Sequence, residues 1–241
     1  MFIKRSKPYL FASLVGTAFA SFLWGATPAG ALTIAPDENS VYLQASDVGA
    51  SFNVNWSQSI GNGLPDLMAN SVWTILGFQN DRLTLVISLT NATLDTATFH
   101  SAITSFGAGM TPNGTGQFAP SGAEAVFKNI SSGNGPKQTF PGGFKGIDLC
   151  VSSSGCSGGS FNAGLHAGAT DIMTVILLAA FGADPSGTLA FFPIKFQTSS
   201  GSYEIGGQVS TVPLPATLPL LILAVAGFGF LRKRRISAAS L

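Results

Sequence analysis

The chain has 241 residues, 46% hydrophobic and only 10% charged, with 29 glycines; that is too apolar for a disordered chain and rich in turn formers. Its formal net charge of +1 hides a segregation: Lys4, Arg5 and Lys7 sit at the start, and Arg232, Lys233, Arg234 and Arg235 at the end. Between them lie five scattered cations and all 11 acidic residues, a net of about −6, which excludes the basic footprint of a nucleic-acid-binding protein.

Residues 1–31 read as a secretory signal peptide. Lys4-Arg5-Ser6-Lys7 forms the basic region, and the apolar stretch from Tyr9 to Leu23 is too short for a membrane-spanning helix. Ala29-Gly30-Ala31 supplies the small residues that signal peptidase accepts. Cleavage is therefore expected before Leu32, with an uncleaved N-terminal anchor as the alternative.

Residues 32–211 read as an all-β domain, an antiparallel β-sandwich. Ser51–Trp56 alternates Phe52, Val54 and Trp56 with polar residues. Val72–Phe78 is strand-like, and Asn80-Asp81 turns into Arg82–Thr90, where Leu83, Leu85, Ile87 and Leu89 share one face. Asp171–Phe181 is a continuous apolar run whose Val and Ile content favours a buried strand over a helix. Thr188–Gln197 alternates again, and Pro193 within it suggests an edge or a bulge. Thr111–Gly122 and Ser131–Gly143, rich in Gly, Pro, Asn and Ser, read as long loops.

Cys150 and Cys156 are the only cysteines. An exported domain meets an oxidising compartment, so a disulfide is expected, closing a Ser/Gly-rich loop for a stabilisation of about 2 kcal/mol. A metal site is the alternative, against which spacing and ligand number both speak.

Other motifs carry less. Gly155-Cys156-Ser157-Gly158-Gly159 fits G-x-S-x-G, but no helix pattern follows. Ser157, His166 and Asp171 form a conceivable triad, and His100 and His166 are the only histidines. Asp37-Glu38 lacks the ligand array of a calcium loop. Asn55, Asn91, Asn113 and Asn129 begin glycosylation sequons, at a frequency chance explains in so Asn- and Ser-rich a domain. Trp56 and Trp73 are candidates for stacking on sugar rings, although their strand positions favour the core.

Residues 212–241 form a second targeting segment. The 18 residues from Leu214 to Leu231 carry no charge, and as a helix they would extend roughly 27 Å, near the hydrocarbon thickness. The basic cluster Arg232–Arg235 follows at once and should stay in the cytoplasm, so that the preceding domain faces outward. Pro213, Pro215 and Pro219 crowd the outer end. They leave Val212–Ala216 extended and start a regular helix near Thr217, shortening it to roughly 21 Å, a short span.

Val212-Pro213-Leu214-Pro215-Ala216, the apolar run Thr217–Leu231 and the cluster Arg232-Lys233-Arg234-Arg235, in that order, resemble the VPLPA variant of the PEP-CTERM sorting signal. The resemblance implies an exosortase partner, a multi-spanning membrane enzyme with a cysteine nucleophile, in a Gram-negative host. It also implies association with exopolysaccharide and biofilm systems. Val48–Trp56, Thr104-Ser105-Phe106-Gly107, the cysteine loop and Phe192–Gln197 resemble the cistern subfamily, for which no activity is implied.

The expectation is thus an exported, exosortase-sorted surface or extracellular-matrix protein. Signal peptidase, the processing enzyme and the membrane (through residues 214–231) are its expected partners, and exopolysaccharide is a further candidate. It would be held briefly in the membrane and then pass to the cell surface or beyond. No catalytic residue, metal or cofactor is expected. A carbohydrate-binding or adhesive module is the first alternative and a secreted hydrolase the second. Exposed Trp56 or Trp73 rings would favour the first, and a pocket pairing a histidine with a carboxylate the second.

Overall fold

The computed structural model describes residues 32–120, 126–132 and 140–212. In chain order the strands are β1 (Thr33–Ile34), β2 (Ser40–Gln44), β3 (Ser51–Gln58), β4 (Leu67–Gln79), β5 (Arg82–Asn91), β6 (Ser101–Thr111), β7 (Thr115–Phe118) and β8 (Asn129–Ser132). They continue as β9 (Leu149–Ser152), β10 (Leu165–His166), β11 (Thr170–Leu178), β12 (Ser186–Ala190), β13 (Pro193–Thr198), β14 (Gly201–Gly206) and β15 (Gln208–Thr211). Three short 3-10 turns, at Ala45–Asp47, Pro141–Gly143 and Phe161–Ala163, are the only helical pieces among the described residues.

The domain is all-β and its strand pairs are antiparallel. One sheet runs β15-β3-β4-β5-β11-β7. The larger one runs β1-β2-β12-β6-β13-β14, with β9 and β10 on the other flank of β6 and β8 beyond β9. The sheets share one apolar core. Alternation drives this: Leu83, Leu85, Ile87 and Leu89 of β5 are all buried, while the residues between them are not. Trp73 of β4 lies at the centre, edge-on to Phe106 of β6 at 6.2 Å and to Phe192 at 5.4 Å, and stacked with Phe52 of β3 at 5.8 Å.

Three expectations need correction. Thr188–Gln197 is not one strand. It breaks at Phe191 and Phe192, both left-handed (φ 69° and 40°), a conformation costing about 1–3 kcal/mol at a non-glycine residue. Burial of the Phe192 ring between Phe52 and Trp73 offsets that cost. Pro193 begins β13, which lies between β6 and β14 rather than at an edge. The first strand position needs no ladder donor, and the register shift on β6 falls at Lys195/Phe196. Finally, the expected loop Thr111–Gly122 contains β7, which adds to β11 as an edge strand.

Candidate functional site

The disulfide joins Cys150 of β9 to Cys156, with Cα atoms 6.1 Å apart. The closed loop folds back over the outer face of β6. There Ser105 Oγ donates to the Cys156 carbonyl at 3.3 Å, and Lys195 Nζ donates to the Ser157 carbonyl at 3.4 Å. Phe140, Ile147 and Cys150, with Phe144 and Cys156 against them, form a small second core outside the sheet. Beneath the loop, Lys195 of β13 and Glu204 of β14 form an ion pair at 3.1 Å. Glu204 also packs against Gly142.

The two expected processing points lie at one end of the domain. β1 enters antiparallel to β2, with Thr33 opposite Tyr42, so Leu32 lies at the end where β2 runs into Ala45–Asp47. β15 runs antiparallel to β3 and finishes with Thr211 opposite Phe52, at the end from which β3 starts. Residues 45–50 connect β2 to β3 and close this same end. β1 and β15 also pack against each other. Val212 is exposed and follows the last strand without a spacer.

Of the residues expected to direct targeting, Leu32 and Val212 lie within the described chain. Ala29 and Ala31 of the expected cleavage signal, Pro213, Leu214, Pro215 and Ala216 of the expected sorting motif, the apolar residues 214–231 and Arg232–Arg235 lie outside the described residues. Among the described residues no helix is long and apolar enough to cross a membrane.

The stacking candidates are in the core. Trp73 is 0% exposed and donates Nε1–H to Ser71 Oγ at 2.7 Å. Trp56 is 2% exposed and donates to the Phe192 carbonyl at 2.6 Å. Neither ring presents a face to a ligand.

His100 Nδ1 lies 2.8 Å from Asp95 Oδ1, but both side chains are about half exposed on an open surface. The nearby Ser199 hydroxyl accepts from the His100 backbone N–H and donates to the Thr98 carbonyl. Ser157, His166 and Asp171 do not work together. Asp171 is buried and accepts from the backbone of Val126, Phe127 and Ile172, and His166 packs edge-on to Phe161. Among the described residues no group of three His, Cys, Asp or Glu side chains is placed to hold a metal. Of the sequon asparagines, Asn91 is fully buried, its amide donating to the carbonyls of Leu165 (2.9 Å) and Ser101 (3.4 Å). It is inaccessible in the folded state.

One surface escaped the sequence reading, the outer face of the smaller sheet. Strand register aligns its side chains in rows. One row reads Gln208, Asn55, Asn70, Thr90 and Thr170, and the next reads Ser210, Asn53, Val72, Ser88 and Ile172. A third reads Ser51, Thr74, Val86 and Thr174. Neighbours bond laterally: Ser51 to Thr74 and Thr90 to Thr170 at 2.8 Å, Asn55 to Ser210 at 3.3 Å. Among the described outward residues of β3, β4, β5, β11 and β15, only Arg82 is charged. Each strand taken alone shows polar alternation, but only pairing reveals an uncharged face of hydroxyls and amides interspersed with Met68, Val72, Val86 and Ile172.

No protein-family model, no curated protein and no solved structure matches the chain.

Proposed function

We propose that this protein is an exported, membrane-tethered precursor of a non-catalytic surface or extracellular-matrix protein. In this reading residues 1–31 direct export and are removed before Leu32. A β-sandwich domain follows, and Val212–Ala216 forms the recognition segment for an exosortase-like enzyme. That enzyme removes the helix of residues 214–231 together with Arg232–Arg235.

The observation that carries this reading is the shared exit of Leu32 and Val212. A signal peptide and a C-terminal stop-transfer segment both keep their basic ends in the cytoplasm, so both connections must reach one membrane surface. Strands of about ten residues make a domain of this kind roughly 30 Å long. With exits at opposite ends, one connection would need about nine extended residues to return. The C-terminal side does not have them: only Val212–Ala216 separate β15 from Thr217, whereas residues 24–32 lie between the N-terminal apolar stretch and β1.

Mass spectrometry of both termini of the surface protein tests the reading. A mature start at Leu32 and an end within or beside Val212–Ala216 is expected. Recovery of an intact chain through Leu241 at the surface would reject it.

The uncharged face favours a second reading, a carbohydrate-binding or adhesive module. Laterally bonded hydroxyls and amides, interrupted by Val72, Val86 and Ile172, offer both hydrogen bonds and apolar contact to a neutral glycan. An arginine placed at Ser88 should then abolish retention on neutral polysaccharide, and unchanged retention would remove this reading.

A further inference from the structure

The end from which Leu32 and Val212 emerge also exposes large aliphatic side chains. Val48 is 44% exposed and Leu76 54%. They sit on adjoining segments, since the Gly49 N–H donates to the Ile75 carbonyl at 2.8 Å and the Ile75 N–H to the Ala50 carbonyl at 3.0 Å. Leu76 continues the outward row of Val72 and Thr74 on β4, and the β4–β5 register shift beside it changes the phase only beyond it, where Phe78 turns inward. The same segments carry few charges. Asp47 is buried and accepts from the Gln44 N–H, which leaves Asp81, Arg82 and Asp184.

We propose that this end rests on the phospholipid bilayer surface while the C-terminal segment is inserted, with Val48 and Leu76 entering the boundary between headgroups and acyl chains. The inference depends on the tethered reading above and adds an orientation to it. Its occupant follows from where the chain goes. Val212–Ala216, fully extended, reaches at most about 17 Å, so a tail inserted from Thr217 keeps this end beside the membrane. With two acids and one base, the contact is driven by apolar burial, and anionic lipid is not needed. Tyr42 stands behind it, flanking an open groove of about 510 Å³ with Gln44, Ser46, Asp184 and Ser186. That places a phenol and polar groups at headgroup level, where amphipathic rings are favoured. Resting in this way would hold β15 and the processing segment at a fixed height over the bilayer.

The experiment places a reporter at each end of the full chain. Leu76→Trp and, at the far end beyond β5, Leu94→Trp (Leu94 is 68% exposed) are reconstituted separately in phosphatidylcholine vesicles with brominated acyl chains, and the parent chain supplies the background of Trp24 and of the buried Trp56 and Trp73. Emission from the Leu76→Trp reporter should fall about twofold, as for a group roughly 5–10 Å into the interface, and that from Leu94→Trp should not. Amide exchange of residues 217–231 is measured in the same vesicles. Protection of the tail with no quenching at position 76 overturns the resting contact and leaves the tethered reading intact. An unprotected tail overturns both, and equal quenching at both positions overturns the orientation. Quenching that requires added phosphatidylglycerol would overturn the apolar basis of the contact.

Discussion

Lys195 and Glu204 sit directly opposite each other on β13 and β14, their charged groups 3.1 Å apart and largely covered by the cysteine loop and the Pro141–Gly143 turn. Lys195 therefore joins three pieces of chain far apart in sequence: its own strand, the neighbouring edge strand and the loop closed by the disulfide. Lys195→Met should destabilise the domain by about 3 kcal/mol, since it leaves a mostly buried carboxylate without its partner. Adding Glu204→Gln to that variant should recover part of the loss. Chemical denaturation of the two variants measures both effects, and a loss below about 1 kcal/mol would mark the pair as a solvated surface bridge.

The disulfide should behave differently. Its loop is short and is already held by Ser105 and Lys195. Replacing Cys150 and Cys156 with serine should cost about 2 kcal/mol. The sheets should remain, and faster amide exchange should be confined to residues 150–160 and their contacts on β6.

Asp148 gives a pH signature. Burial raises its carboxyl above the ordinary 3.8, against the opposing hydrogen bonds from the Met110 and Gly114 backbone. A raised pKa in the folded state means that folding favours the protonated form. This contribution to stability is complete below the unfolded value and is lost as pH rises through the folded one, with a slope of at most about 1.4 kcal/mol per pH unit. Asp148→Asn keeps an oxygen for the Met110 N–H. It should therefore flatten stability against pH above 3.8 and be the more stable form at neutral pH. Parallel pH titrations of the unfolding midpoint would show a persisting slope if another group is responsible.

Asn91 links the two sheets. Its side chain on β5 donates to carbonyls on β6 and β10, and its Oδ1 accepts from the Thr93 N–H at 3.2 Å. Asn91→Ala leaves those buried groups unpaired and should cost about 2–3 kcal/mol. Asn55→Ala, on the exposed face, should change stability by less than about 0.5 kcal/mol. Thermal unfolding of the pair separates the two roles.

Processing should depend on backbone geometry at the exit. Pro213→Ala with Pro215→Ala leaves the apolar run intact but permits helix up to the end of β15. The longer form should accumulate in the membrane with its basic tail still cytoplasmic, as followed by immunoblot of fractions. Release at the parent rate would leave residues 212–241 as an anchor and nothing more.

The proposed targeting segments rest on the linear sequence alone: charge, apolar length and prolines act through order along the chain. The strands β3, β4, β5 and β11 were legible for a related reason. Each has one wet face or a long apolar run, and Leu83 to Leu89 shows the two-residue period directly. β6 showed no such pattern. It is covered on both sides, by the core and by the cysteine loop, so all its residues from Ser101 to Met110 are buried and no period survives. Trp56 and Trp73 read equally well as core or as binding platforms until packing placed them inside. What only the tertiary structure decided are relations between strands distant in sequence. Antiparallel pairing brings Leu32 and Val212 to one end, register assembles the uncharged rows on the outer sheet face, and backbone bonds between residues 49–50 and Ile75 set Val48 beside Leu76. Local sequence sets which way a side chain points along its own strand, whereas strand order and register set what it stands next to.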